Sequence, residues 1–147
     1  MARYNLAATK TSGAAAGMIV QLRAGSARAL RLYEVGVFTS TVVSGTIALV
    51  RPTAVGATFT SVGPPAANNG AEDPQVGAGV AVIDTAATTP PTIGSIYMRQ
   101  AVLPATIGAG VIWQFPGGIV IPTSSSLAIW QTSTSAVGYV TYFSYDE

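Results

Sequence analysis

Apolar and polar side chains alternate with a period of two along most of this chain, and that alternation predicts strands. Between Gly17 and Gly25, Met18, Val20 and Leu22 alternate with Ile19, Gln21 and Arg23, which puts the larger hydrophobes on one face and the polar ends on the other. Between Ala27 and Thr39, Leu30, Leu32 and Phe38 share a face with Glu34 and Gly36, while Arg31, Tyr33, Val35 and Val37 line the opposite one. Large apolar groups on both faces predict a central strand, covered by a second sheet and by a neighbouring subunit or loop. A Ser44-Gly45 turn then leads into Thr46 to Arg51, where Ile47 and Leu49 point one way.

Strand signals recur at Val80 to Thr85, Ser95 to Leu103, Gly110 to Phe115, Ile119 to Ile121, Leu127 to Thr132 and Val137 to Tyr145. Turns rich in Gly, Pro and Ser separate them, including the Thr88-Thr89-Pro90-Pro91 corner. The nearest approach to a helical period is Ala101 to Ile107, and Pro104 interrupts it. The pattern predicts an all-β, antiparallel β-sandwich of jelly-roll type, with about eight strands in one domain spanning residues 1–147. Pro52 to Gly79 holds Pro64, Pro65 and Pro74, Asn68-Asn69-Gly70 and the acidic pair Glu72-Asp73, and is expected to be one long contact loop. Residues 1–15 are expected to extend as an N-terminal arm that a partner ties down.

Charge changes this picture most. Only 9% of the chain is charged, where about 25% is usual. From Gln100 to Tyr145 the chain runs 46 residues without a charged side chain. The stretch does not read as a membrane span, because Pro104, Pro116, Pro122 and runs of Ser and Thr break it below the roughly 20 apolar residues a helix needs. Ala14 to Val20 is too short, and too interrupted by Gly17, to read as a secretory leader. Disorder is also excluded, since 49% of the residues are apolar and recur in strand rhythm. A folded chain so poor in ionic groups is expected to turn part of its surface toward other protein.

The chain has no Cys and no His, so disulfides, thiolate nucleophiles and the usual metal and acid–base groups are missing. No catalytic, cofactor-binding or metal-binding residue is assigned, and the chain reads as a non-enzyme. Glu34 and Asp84 are the acids embedded in strands, but nothing in their spacing brings them together as a hydrolytic pair. Glu72, Asp73 and Asp84 lack the spacing of an EF-hand. Gly77-Ala-Gly79 and Gly108-Ala-Gly110 read as turns or bulges, having neither the helix nor the Lys of a phosphate loop. A net charge of +1 gives little pull toward nucleic acid or anionic lipid. The candidate interface residues are therefore Arg23, Arg28, Arg31, Arg51, Glu72, Asp73, Trp113, Trp130, Tyr139 and Tyr142. The arginines are expected to pair with Glu34 or with acids on a partner. The aromatic residues are expected to serve core packing or subunit contact ahead of a sugar- or base-stacking platform.

The run Trp113-Gln-Phe115-Pro-Gly-Gly-Ile119-Val-Ile121-Pro122, then Leu127-Ala-Ile129-Trp130, then Gly138-Tyr139-Val-Thr-Tyr142-Phe143-Ser-Tyr145, resembles the closing strands of small jelly-roll proteins of tailed-bacteriophage virions, particularly capsid decoration (cement) proteins. Arg31-Leu-Tyr-Glu-Val-Gly-Val-Phe38 is similar to their early central strand, and the resemblance covers about Ala27 to Glu147. It implies a structural virion protein, a homotrimer on the outer capsid surface that is assembled in the host cytoplasm and stabilises the head by binding major capsid protein. The charge balance leads to the expectation of no nucleic-acid or membrane partner, a small-molecule ligand is not favoured, and no family site residue carries over from the resemblance. The same sandwich also suits a tail, fibre or receptor-binding (carbohydrate-binding) module, or a tail or neck ring subunit.

Overall fold

The computed structural model describes residues 2–64, 72 and 78–147, and among them every regular element is a strand. In chain order these are β1 (Arg3–Thr11), β2 (Gly17–Arg23), β3 (Leu30–Thr39), β4 (Gly45–Val50), β5 (Pro52–Ala54), β6 (Ala57–Val62), β7 (Val82–Thr89), β8 (Thr92–Ile93), β9 (Arg99–Leu103), β10 (Gly110–Ile121), β11 (Ser126–Gln131) and β12 (Gly138–Asp146). One antiparallel sheet has the order β1-β12-β3-β10 and a second has β6-β7-β2-β11-β4-β9. β5 and β8 form a separate ribbon. The chain passes between the two sheets at each of the steps β1 to β4 and β9 to β12. Val35, Val37 and Phe143 from the first sheet and Leu22, Ile47, Leu127 and Ile129 from the second are fully buried in one shared core. The molecule is an all-β sandwich.

Two expectations are corrected. Residues 3–11 are no free arm: β1 pairs with β12 from Arg3 opposite Asp146 to Thr11 opposite Gly138. The reason is local, since Tyr4, Leu6 and Ala8 alternate inward and Tyr4 and Ala8 are buried. The expected loop from Pro52 to Gly79 is not a loop in its first part, while residues 65–71 and 73–77 lie outside the described residues. That first part supplies β5 and β6, and the alternating Thr58-Phe59-Thr60-Ser61-Val62 pairs with β7 as an exposed edge strand. The structure thus holds twelve strands among the described residues, where about eight were expected.

Two β-bulges in the first sheet decide which of its side chains face out. In β3, Ser144 pairs with Glu34 but Tyr145 pairs with Leu32, so Tyr33 is the extra residue and the alternation changes phase there. Leu30, Leu32, Val35 and Val37 all turn into the core, while Glu34, Gly36 and Phe38 turn out. A strict period of two placed Phe38 with Leu32 and Val35 with Arg31. The second bulge lies in β10, between Gln114 and Ile119, and merges what read as two strands into one. Pro116 and Gly117 fall inside it, with Gly118 at φ +67°, a conformation that suits glycine, and the Arg31 side chain lies where a Cβ on Gly118 would stand.

The outer face of the first sheet is consequently ordered in rows across β1, β12, β3 and β10. One row is Thr9, Val140, Phe38 and Gly110, and the next is Ala7, Tyr142, Gly36 and Ile112. Then come Asn5, Ser144, Glu34 and Gln114, followed by Arg3, Asp146, Arg31 and Val120. Ionic groups therefore collect toward one end of the face.

Burial pushes the phenols of Tyr139 and Tyr142 up to about 12, with a hydrogen bond to Glu34 adding to the effect on Tyr142. Burial drives Tyr145 in the same direction. A group whose pKa rises on folding stabilises the fold fully below its ordinary value of 10.0, and that contribution is lost as pH climbs through the folded value. Base-induced unfolding is expected to set in between about pH 10 and 12. Circular dichroism with phenolate absorbance checks this. Free ionisation of all six tyrosines near pH 10 with the fold intact would contradict it.

Candidate assembly surface

β9 and β10 are the outermost strands of their sheets on the same flank of the sandwich, and among the described residues nothing pairs with the outer side of either. Among the described residues, six of the nine exposed large hydrophobic residues belong to this flank or to the loops feeding it: Ile96, Tyr97, Val102, Ile107, Ile112 and Val120. Ile96 is 82% exposed and Val102 73%. Scattered exposed hydrophobes need no explanation, but a group of them along two open strand edges does. The loop carrying Ile107 is held to the end of β3, where Thr39 Oγ1 donates to the carbonyl of Thr106 at 2.6 Å and Gly108 N–H donates to the carbonyl of Thr39 at 2.8 Å. An apolar side chain is thus presented from an anchored turn. Beside Ile96, a hollow of about 420 Å³ is lined by Arg51, Thr53, Gly94, Ser95 and Met98.

Ionic groups near this flank are used locally. Arg99 is its only charged residue from Ile96 to Val120; Nη1 donates to the Met98 carbonyl at 2.8 Å and the guanidinium lies 5.6 Å from the Phe115 ring centre. Arg51 donates to the Val120 carbonyl and Arg31 to that of Gly117, both at 2.9 Å. The lower part of the β10 edge is therefore capped by guanidinium groups and the Pro116 bulge. The upper part, Gly110 to Gln114, is open.

The candidate residues do not gather into one site. Arg23 binds Asp84 through two hydrogen bonds of 2.7 and 3.0 Å and covers the Phe59 ring at 4.5 Å. Arg28 is exposed in the loop between β2 and β3. Glu34 accepts from Tyr142 OH at 2.5 Å and Gln114 Nε2 at 2.8 Å, and no arginine pairs with it, contrary to expectation. Those bonds hold its carboxyl below the ordinary value, the Tyr142 bond most strongly. Glu72 is exposed and accepts from Asn5 Nδ2 at 3.2 Å beside β1, while Asp73 lies outside the described residues.

The aromatic candidates also separate. Tyr139 is 1% exposed and donates to Gln131 Oε1 at 3.0 Å, so it is a core residue and no interface residue. Trp113 packs half-buried against the core from the β10 side. Trp130 lies across Ala48, Val50 and Ala128 on the second sheet, lining a separate hollow with Lys10, Met18 and Pro90. A platform made of both tryptophans is ruled out by their placement in different sheets, and Tyr142 alone of the four lies on the outer face of the first sheet.

Alternation in Ser95 to Leu103 turns Ile96, Met98 and Val102 inward, but Ile96 and Val102 are exposed, and Ile107 and Ile112, inside the uncharged run, carry no sequence signal of their own. Glu34 and Asp84 lie in different sheets, so they form no acid pair. Among the described residues no group of three His, Cys, Asp or Glu gathers to hold a metal ion, and no helix is long and apolar enough to cross a membrane. In comparisons with known proteins, no family model, curated protein or solved structure matches this chain.

Proposed function

We propose that this chain is a structural subunit that self-associates through the β9–β10 flank and clamps a larger protein shell. The observation that carries the reading is that flank: an open pair of strand edges with six exposed large hydrophobes, where Arg31, Arg51 and Arg99 are each bonded to a backbone carbonyl. Charge at such a surface would oppose close contact, and its scarcity favours burial. We read the strand orders β1-β12-β3-β10 and β2-β11-β4-β9 as the two sheets of a jelly roll, with β5 to β8 inserted between β4 and β9. Together with the resemblance in the closing strands, this supports a capsid decoration protein, a trimer seated on the major capsid protein of a tailed-bacteriophage head. Its mechanism is burial of area. An interface of about 1,600 Å² holds specifically, and repetition over a lattice multiplies the effect.

Co-sedimentation of the purified protein with capsid shells of its virus tests the shell partner. Saturable binding is expected, at a fixed number of copies per shell, with heads that better resist heat. Protein that stays in the supernatant at all concentrations would overturn the decoration reading.

A further inference from the structure

The outer face of the first sheet carries a second feature, centred on β3 and β12 and reaching the open β10 edge at Gly110 and Gln114. A Cβ on Gly36 would collide with the Tyr142 ring, and a Cβ on Gly110 would collide with the Phe38 ring. Each ring therefore lies down across the neighbouring strand, over a glycine. The two rings are nearly parallel, 16° apart, with centres 6.4 Å from each other, and both are half-exposed. Glycine inside a strand weakens a sheet, so two of them beneath two rings serve geometry at the expense of propensity. The result is a nearly parallel pair of partly exposed rings on the outer face of the sheet.

The chemistry of the adjoining row completes a site. Asn5, Ser144, Glu34 and Gln114 stand one step from Tyr142 and supply amide, hydroxyl and carboxylate groups. Glu34 fixes the Tyr142 hydroxyl and the Gln114 amide through its two hydrogen bonds, so the polar edge is held before any ligand arrives. Neither ring-bearing row nor this one contains Lys or Arg. The nearest cations are one row further on, where Arg3 pairs with Asp146 at 2.9 Å and Arg31 with the Gly117 carbonyl. A nucleic acid would stack on such rings only with phosphate-binding charge beside them. A protein partner would more often receive rings that project into its pockets, and these cannot project. A sugar ring offers what fits: a flat face of C–H groups for the aromatic surface and hydroxyls at its rim for the amides and carboxylate. On the other side, a groove of about 390 Å³ lined by Ala7, Thr9, Val62, Thr85 and Val140 gives a chain of sugars room to continue, since Val140 stands opposite Phe38.

We propose that this face binds a neutral oligosaccharide with equatorial hydroxyls, stacked on Phe38 and Tyr142 and held at its edge by Gln114 and Glu34. The site is built within one chain and does not rest on the assembly reading. Binding is tested by titrating cellohexaose, chitohexaose and a heparin-derived hexasaccharide, each to about 10 mM, into the full chain by calorimetry and NMR. At least one neutral hexasaccharide is expected to bind and to shift the ring protons of Phe38 and Tyr142. Phe38→Ala and Tyr142→Ala are expected to weaken that binding about tenfold or more. Gln114→Ala, at an exposed position where the fold has little to lose, is expected to weaken it several-fold, and Trp130→Ala to leave it unchanged. The proposal is overturned if neither neutral probe binds, if heparin binds more tightly than both, or if Gln114→Ala and a folded Phe38→Ala bind as the parent does.

Discussion

Replacing Asp84 with Ala is expected to cost about 3–5 kcal/mol of folding stability, the range seen when one partner of a buried charge pair is removed. Asp84 is fully buried and accepts hydrogen bonds from Gln21 Nε2 at 2.8 Å, Ser61 Oγ at 2.5 Å and both Nε and Nη2 of Arg23. Those donors come from β2 and β6, on either side of β7, so one carboxylate fastens three strands of the second sheet. Gln21 is itself fully buried and is held from its other end by Ser126 Oγ at 2.9 Å. Without Asp84, its amide keeps only the Val55 carbonyl at 3.2 Å. Arg23→Ala is expected to cost less, because its side chain is 28% exposed and the carboxylate retains Gln21 and Ser61. Urea denaturation checks both. A loss below about 1 kcal/mol for Asp84→Ala would show that the cluster does not hold the sheet.

Introducing Glu at Val102 and Ile112 is expected to dissociate the proposed assembly while leaving the subunit folded. Both side chains are at least half exposed in the single chain, so charge there costs the monomer little. Inside a contact between copies, the same carboxylates would be unpaired and stripped of water. At several kcal/mol for each buried charge, association would weaken by at least about a hundredfold to a thousandfold. A matched pair at Thr9 and Thr60, exposed positions away from the flank, is expected to leave the assembly intact. Sedimentation velocity and circular dichroism, run together, separate dissociation from unfolding.

Much of the sandwich was legible because its strands obey a period of two bounded by Gly, Pro and Ser. β2, β4, β11 and β12 fall close to where alternation placed them. What alternation could not reveal was a change of phase. A bulge depends on pairing with the neighbouring strand, so Tyr33 gave no local sign that Phe38 would face out and Val35 in. β1 was misread because its inward set, Tyr4, Leu6 and Ala8, is small and flanked by polar residues, and its partner lies at the other end of the chain. β6 was hidden among prolines, and as an exposed edge strand it buries too little to show a hydrophobic rhythm.

The candidate surface was legible as a region and illegible as residues. Scarcity of charge from Gln100 to Tyr145 pointed to the right third of the chain. Within it the conspicuous side chains are Trp113, Trp130 and Tyr139, which the fold turns against the core, onto the second sheet and into the core respectively. Smaller aliphatic residues carry the exposed area because β9 and β10 are edges, and which strands become edges is settled by topology. The rings that do lie flat on the surface, Phe38 and Tyr142, are marked in sequence only by the glycines they cover, and those sit on neighbouring strands.

The most direct test of an assembly built on the β9–β10 flank is the molar mass of the purified protein by light scattering across a wide concentration range. A closed oligomer is expected, three times the 14.9 kDa chain, that falls to single-chain mass when Val102 and Ile112 are both changed to Glu. A mass of one chain at every concentration, or an oligomer that the two charges leave untouched, would contradict it.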